Sequence, residues 1–236
     1  MTYATSVLPG SSGVTTGLSL RIAFAVFGVL LAIQAMWILI PESRRPTSYP
    51  DPGNVTASTA GANGERAYQA AAIAKIRGDL WAESAFAIVG RNWNNRSLAA
   101  VAGKSDEKIR SAIIQTLRFS PHRGDVWLLF AAMIQQQRSP GYQPDALLKM
   151  SYYTAPNELK LLPLRLELIL KGGIHDDELK ELLRRDIQII VMHDRALMPA
   201  LIHAYQSAPA EGRGFLERVI MQINPDVIDT VRAMPR

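Results

Sequence analysis

The sequence predicts an all-α protein, with one apolar helix near the amino terminus followed by a domain built of amphipathic helices. Three observations carry this. Leu18 to Ile40, LSLRIAFAVFGVLLAIQAMWILI, is almost unbroken apolar sequence. From Glu65 onward apolar residues recur at helical spacing, and no useful length alternates with the period of two that a half-buried strand requires. Glycine, asparagine and proline interrupt the pattern at about the spacing of one helix.

The apolar stretch is expected to be a transmembrane helix over residues 18–40. Between Ile22 and Ile40 only Gln34 is strongly polar. At about 1.5 Å per residue, a run of this size covers a hydrocarbon core about 30 Å thick. A lone helix suits that setting, because it satisfies its own backbone hydrogen bonds where no water can. Arg21 can snorkel to one interface and Trp37 sits near the other. The run exceeds a usual signal-peptide core and no small-x-small cleavage site follows it, so an uncleaved single-pass anchor closed by Pro41 is expected.

Residues 1–17 are small, polar and nearly uncharged, the composition of a disordered tail. Residues 41–64 hold Pro41, Pro46, Pro50 and Pro52 among Ser, Thr and Gly, and read as a linker, stiffer at its proline end. Residues 65–236 remain for one α-helical domain, enough to bury a core.

Within that domain the helices follow in order. Glu65 to Arg77 is alanine-rich and broken by Gly78-Asp79, and Leu80 to Arg91 follows. Trp93-Asn94-Asn95-Arg96 is expected to turn. Asp106 to Phe119 places Ile109, Ala112, Ile113 and Leu117 on one stripe, and Asp125 to Gln137 does so with Trp127, Phe130, Ala131 and Ile134. Asp145 to Tyr153 is shorter. Asn157 to Lys171 is leucine-rich, with Pro163 opening or kinking it, and Gly172-Gly173 ends it. Asp176 to Met192 is the best formed: acidic Asp176, Asp177 and Glu178 suit its first turn, and Leu179, Leu182, Leu183, Ile187, Ile190 and Val191 form its buried face. Arg195 to Gln206, Glu211 to Ile223 and Asp226 to Ala233 complete the chain.

Helix ends followed by proline recur at Pro121, Pro156 and Pro225, spaced by 35 and 69 residues. Arg77-Gly78-Asp79-Leu80-Trp81 is echoed by Arg123-Gly124-Asp125-Val126-Trp127. A helical hairpin near 34 residues closed by proline is the tetratricopeptide period. The region from about 65 to 225 therefore resembles a degenerate tetratricopeptide-like array of bacterial envelope proteins. An irregular helical bundle shares the same physics, since each hairpin buries its apolar face only against its neighbours.

The chemistry-bearing residues point away from catalysis. The chain has no cysteine, which removes thiol chemistry and disulfides. His122, His175, His193 and His203 show no i, i+4 pairing and read as surface or helix-end residues. His175-Asp176-Asp177-Glu178 is explained by helix capping. No phosphate-binding glycine loop and no Gly-x-Ser-x-Gly elbow occurs, so catalytic, cofactor and metal residues are expected to be none. The net charge of +5 is spread along the chain and leaves no nucleic-acid footprint. The two Arg-Gly-Asp triplets lie at helix starts, where Gly turns and Asp caps. Trp81, Trp93 and Trp127 with Tyr152 and Tyr153 could line a concave ligand groove, although Trp81 and Trp127 better suit core packing between hairpins; Trp93, Arg184 and Arg185 are the candidate partner-binding residues.

The expected function is a non-enzymatic membrane adaptor or scaffold that binds protein partners through its helical domain and meets the bilayer through residues 18–40. Arg44 and Arg45 after the span would, by the positive-inside rule, keep the domain cytoplasmic, but long domains translocate largely regardless of charge. The tether resembles those of bacterial envelope proteins that hold a domain away from the inner membrane, so a periplasmic domain is the expectation and envelope or polysaccharide assembly the implied setting. The alternative is a structural subunit whose transmembrane helix is itself an interface, for which Ala25, Gly28 and Ala32 offer small residues at close-approach spacing.

Overall fold

The computed structural model describes residues 13–43, 60–93, 104–137, 141–173 and 175–233, and every regular element among them is helical. Two units separate, Met1–Arg44 and Arg45–Arg236.

The first unit holds α1 (Gly13–Ser43). Its segment Ser19–Ser43 has a mean hydropathy of 2.4 with none of the apolar window buried, the one described helix long and apolar enough to cross a membrane. Leu20, Phe24, Phe27, Leu31, Ile38 and Leu39 are all exposed, on successive turns and on every side. A helix that is apolar all round has no polar face to give to water. α1 exceeds the expected span at both ends. It begins before Leu18, and Pro41 lies inside it rather than closing it. Proline has no N–H to give to the Trp37 carbonyl, and so near the carboxyl end this costs the helix one hydrogen bond without interrupting its body. Ser43 Oγ donates to the Ile40 carbonyl at 2.9 Å in that last turn.

The second unit runs α2 (Ala60–Ala74), α3 (Gly78–Trp93), α4 (Lys104–Phe119), α5 (Gly124–Gln137), α6 (Pro144–Thr154), α7 (Leu162–Gly172), α8 (Asp177–Met192), α9 (Met198–Ser207), α10 (Ala210–Ile223) and α11 (Val227–Ala233). Short 3-10 turns, Leu159–Leu161 and Arg195–Leu197, lead into α7 and α9. Helix α2 begins within the stretch expected to be linker, because packing against α3 outweighs its weak propensity; a Cβ on Gly64 would stand 3.2 Å from Ile88. The expected turn at Trp93 falls otherwise: Trp93 is the last residue of α3, and Asn94, Asn95 and Arg96 lie outside the described residues.

Local signals set the helix ends. Proline opens α6, α7 and α9 in their first turns, where its missing N–H is not needed, so Pro163 opens its helix rather than kinking it. Asp176 caps α8, its carboxylate accepting from the Leu179 N–H at 3.1 Å. α7 stops at Gly173, whose φ of 89° favours glycine.

The helices pack as hairpins. α3 lies on α2 and α4, α5 on α6, and α7 on α8. Beyond the hairpins, α5 meets α7 and α7 meets α9, while α6 meets α8 and α8 meets α10. One core runs through these contacts, from Leu80, Ile113 and Phe130 through Leu148, Leu166 and Leu183 to Leu201 and Leu216. Each such side chain contributes about 1.5–3 kcal/mol by leaving water. Along α8 the buried face is Leu179, Leu183, Ile187, Ile190 and Val191, with Leu182 half-buried at its edge.

The two echoed segments have the same geometry. Arg77 pairs with Asp79 and Arg123 with Asp125, each at 2.6 Å. Trp81 Nε1 donates to the Lys75 carbonyl at 2.9 Å and Trp127 Nε1 to the Pro121 carbonyl at 2.8 Å, six residues back in both cases. Trp81 is buried and Trp127 half-buried against the core. A Cβ on Gly78 would stand 2.3 Å from Ser120 Oγ, just past α4. On Gly124 it would stand 2.4 Å from the Ala155 Cβ and 3.0 Å from the Ser151 carbonyl, at the end of α6. In both hairpins a glycine lets the start of one helix touch the end of the next.

Gly124→Val should therefore destabilise the unit by about 1–3 kcal/mol, since the Ser151 carbonyl is backbone and cannot rotate away. Gly214→Ala is the matched control. Nothing lies within 4 Å of its added Cβ, and alanine in a helix should stabilise by about 0.5–1 kcal/mol. Thermal unfolding of the full chain in detergent, followed by circular dichroism, reads both.

Candidate partner-binding cleft

Three helices converge on a buried polar centre made by Arg165 of α7, Tyr152 of α6 and Asp186 of α8. Arg165 is fully buried. Its Nη2 donates to the Ser151 carbonyl at 2.7 Å, to Ser151 Oγ at 3.0 Å and to the Ala155 carbonyl at 2.9 Å, and its Nε reaches Ser151 Oγ at 3.2 Å. The carbonyls at a helix carboxyl end have no partner within the helix and carry partial negative charge, so a cation is favoured there. The guanidinium also lies 4.3 Å from the Tyr152 ring centroid, a cation–π contact. Nη1 has no hydrogen-bond partner among the described residues.

Tyr152 links this cation to a carboxylate. Its hydroxyl donates to Asp186 Oδ2 at 2.6 Å. Burial and the adjacent carboxylate push the Tyr152 phenol well above its ordinary range. Burial lowers the Arg165 guanidinium, an effect opposed by Tyr152 and Asp186. Burial raises the Asp186 carboxyl to about 6, although the Tyr152 hydroxyl, Arg165 and Arg185 each pull it down. Desolvation thus outweighs three favourable neighbours.

Beside this centre opens a cleft of about 200 Å³ lined by Tyr152, Tyr153, Pro156, Leu182, Arg185 and Asp186. Its walls are aromatic and aliphatic, with one cation and one carboxyl. Tyr153 is largely exposed, and its hydroxyl donates to Glu178. Lys149 bridges Asp176 at 2.8 Å and Glu178 at 3.4 Å, tying the middle of α6 to the start of α8. Pairs reached this readily by water are screened and hold the two helices only weakly.

The structure separates the expected partner-binding residues. Arg185 is exposed and lines the cleft. Arg184, one residue earlier, is exposed but turns to Glu181, 3.1 Å away on its own helix. The side chain of Trp93 lies outside the described residues. The four histidines are all exposed. Among the described residues, no three His, Cys, Asp or Glu side chains are grouped so as to hold a metal ion.

Sequence reasoning missed the buried centre, although a signal was present. Asp186 interrupts the apolar stripe of α8 between Leu183 and Ile187, and Arg165 interrupts that of α7 between Leu162 and Leu166. A charge on the core face of an amphipathic helix requires a buried partner. No protein-family model, curated protein or solved structure matches the chain.

Arg165→Met should cost about 3 kcal/mol, because it strips the α6 carbonyls and Asp186 of their cation. Tyr152→Phe, which leaves the Asp186 carboxylate without its donor, should cost about 1–3 kcal/mol. The double variant should cost less than the sum, since both changes remove parts of one network. Urea unfolding of the three variants tests this, and strict additivity would show that the two side chains act independently.

Proposed function

We propose that the chain is a non-enzymatic, single-pass membrane adaptor in which α1 holds a helical-repeat unit at a bilayer and that unit binds protein partners. The observation that carries the reading is the segment Ser19–Ser43 of α1, 25 residues with none of its apolar window buried, in a chain whose other unit has its own core. The helical unit is read as a tetratricopeptide-like array of hairpins α3/α4, α5/α6, α7/α8 and α9/α10. Contacts of α5, α7 and α9 on one side and of α6, α8 and α10 on the other support this, as do the matching Arg-Gly-Asp-x-Trp turns. The cleft at Arg185 is the proposed docking point, since concave apolar sites with a few polar groups are where ligands and anchoring side chains bind.

The proposed place is a bacterial inner membrane with the helical unit in the periplasm, where the tether would set its reach. Gly28, with no atom within 4 Å of an added Cβ, flanked by Ala25 and Ala32, favours a second reading in which α1 is also an interface within a larger membrane complex.

Isolation of the full chain from its native membrane in mild detergent, with a tag after Arg236, tests both readings by mass spectrometry of what travels with it. An adaptor should bring down a stoichiometric partner set that survives exchange of residues 18–40 for an unrelated apolar helix and weakens with Arg185→Glu. An intramembrane subunit should lose its partners on the exchange. Recovery of the folded protein alone would contradict the adaptor reading.

A further inference from the structure

The buried centre has a property that the adaptor reading does not use. Asp186 is 3 % exposed, yet it forms part of the wall of the cleft, so protons can reach a carboxyl that the core otherwise surrounds. Its described hydrogen bond runs to a different helix, through the Tyr152 hydroxyl. We propose that Asp186 is a proton-operated tie between α6 and α8, firm at the wall of the cleft while the carboxyl is ionised and accepts from Tyr152, and slackened when it takes up a proton.

The groups acting on it can be named helix by helix. From α6 the Tyr152 hydroxyl donates to it, and Tyr153 shares the cleft. From α7 it feels the positive charge of Arg165, and from its own helix that of Arg185. Glu158, ahead of α7, acts on Arg165 rather than on Asp186 directly. The hydrogen bond and the two cations favour the carboxylate, burial opposes it, and burial is the largest effect.

The effect on the stability of the whole fold follows from linkage. The folded protein holds this proton up to about pH 6, whereas a free aspartate releases it near 3.8. Between those values the folded state binds a proton that the unfolded state lacks, so stability falls as pH rises through 6. With these two values, the folding equilibrium constant should gain about tenfold from this one group between pH 7 and pH 5. Asp145, half-buried beside Asp176, is raised as well and acts in the same direction, while Asp176 and Glu217 are lowered and act oppositely. The comparison must therefore be with a variant at position 186.

The test is an infrared titration of the full chain in detergent, paired with urea unfolding at pH 7 and pH 5. The native protein should show one protonated-carboxyl band that titrates near pH 6 and is absent from Asp186→Asn. Its stability relative to Asp186→Asn should shift about tenfold in equilibrium constant between the two pH values. Tyr152→Phe, which removes a donor to the carboxylate, should move the band's midpoint to higher pH. It keeps the test decisive even if Asp186→Asn does not fold. A carboxyl that titrates below pH 5, or a midpoint that Tyr152→Phe leaves in place, would overturn the proposal.

Discussion

The buried guanidinium of Arg165 is the constraint on which the carboxyl-terminal half of the helical unit depends. Removing a charge from water costs several kcal/mol unless the surroundings replace its hydration. Here the surroundings are specific atoms on other elements: the Ser151 and Ala155 carbonyls at the end of α6, the Ser151 hydroxyl and the face of Tyr152. α7 can sit in one register against α6, because a slip of one residue would carry the guanidinium away from those carbonyls. The same carbonyl end receives Gly124, so α5 is fixed against it too. Tyr152 then passes the constraint to α8 through Asp186.

That centre also explains the position of the cleft. Tyr152 and Asp186 contribute to its inner wall and are held by bonds that ordinary core packing would not supply, while Tyr153 and Arg185 belong to its exposed part. A cleft walled this way is preorganised, so a group entering it would have few side chains to order. Arg184 and Arg185 look equivalent in the sequence. One turns along its helix to Glu181 and the other borders the cleft, a difference of one residue, or about 100° around the helix axis.

Much of the fold was legible in the sequence for reasons visible in particular residues. The stripe from Leu179 to Val191 named the buried face of α8, Asp176 marked its start, and Pro163 marked the neighbourhood of the α7 opening. The echo of Arg-Gly-Asp-x-Trp corresponded to one repeated hairpin geometry. Boundaries were less legible where tertiary contact outweighs local preference, as at Ala60–Gly64, and at Pro41, which the end of α1 runs past. Of the candidate site, Arg185 and the groove tyrosines Tyr152 and Tyr153 could be named, but not the cleft that joins them. It joins α6 to α8, and the 34-residue separation of Tyr152 and Asp186 leaves no local pattern. Only the misplaced charges on two apolar stripes announced it.

Amide hydrogen exchange of the full chain in detergent, with and without Arg165→Lys, tests the central role of this buried cation most directly. Lysine keeps the charge but lacks the fork that reaches two carbonyls and a hydroxyl at once. The account predicts that α6, α7 and α8 lose protection together in the variant while α2 and α3 keep theirs. Loss confined to α7, with α6 and α8 unchanged, would contradict it.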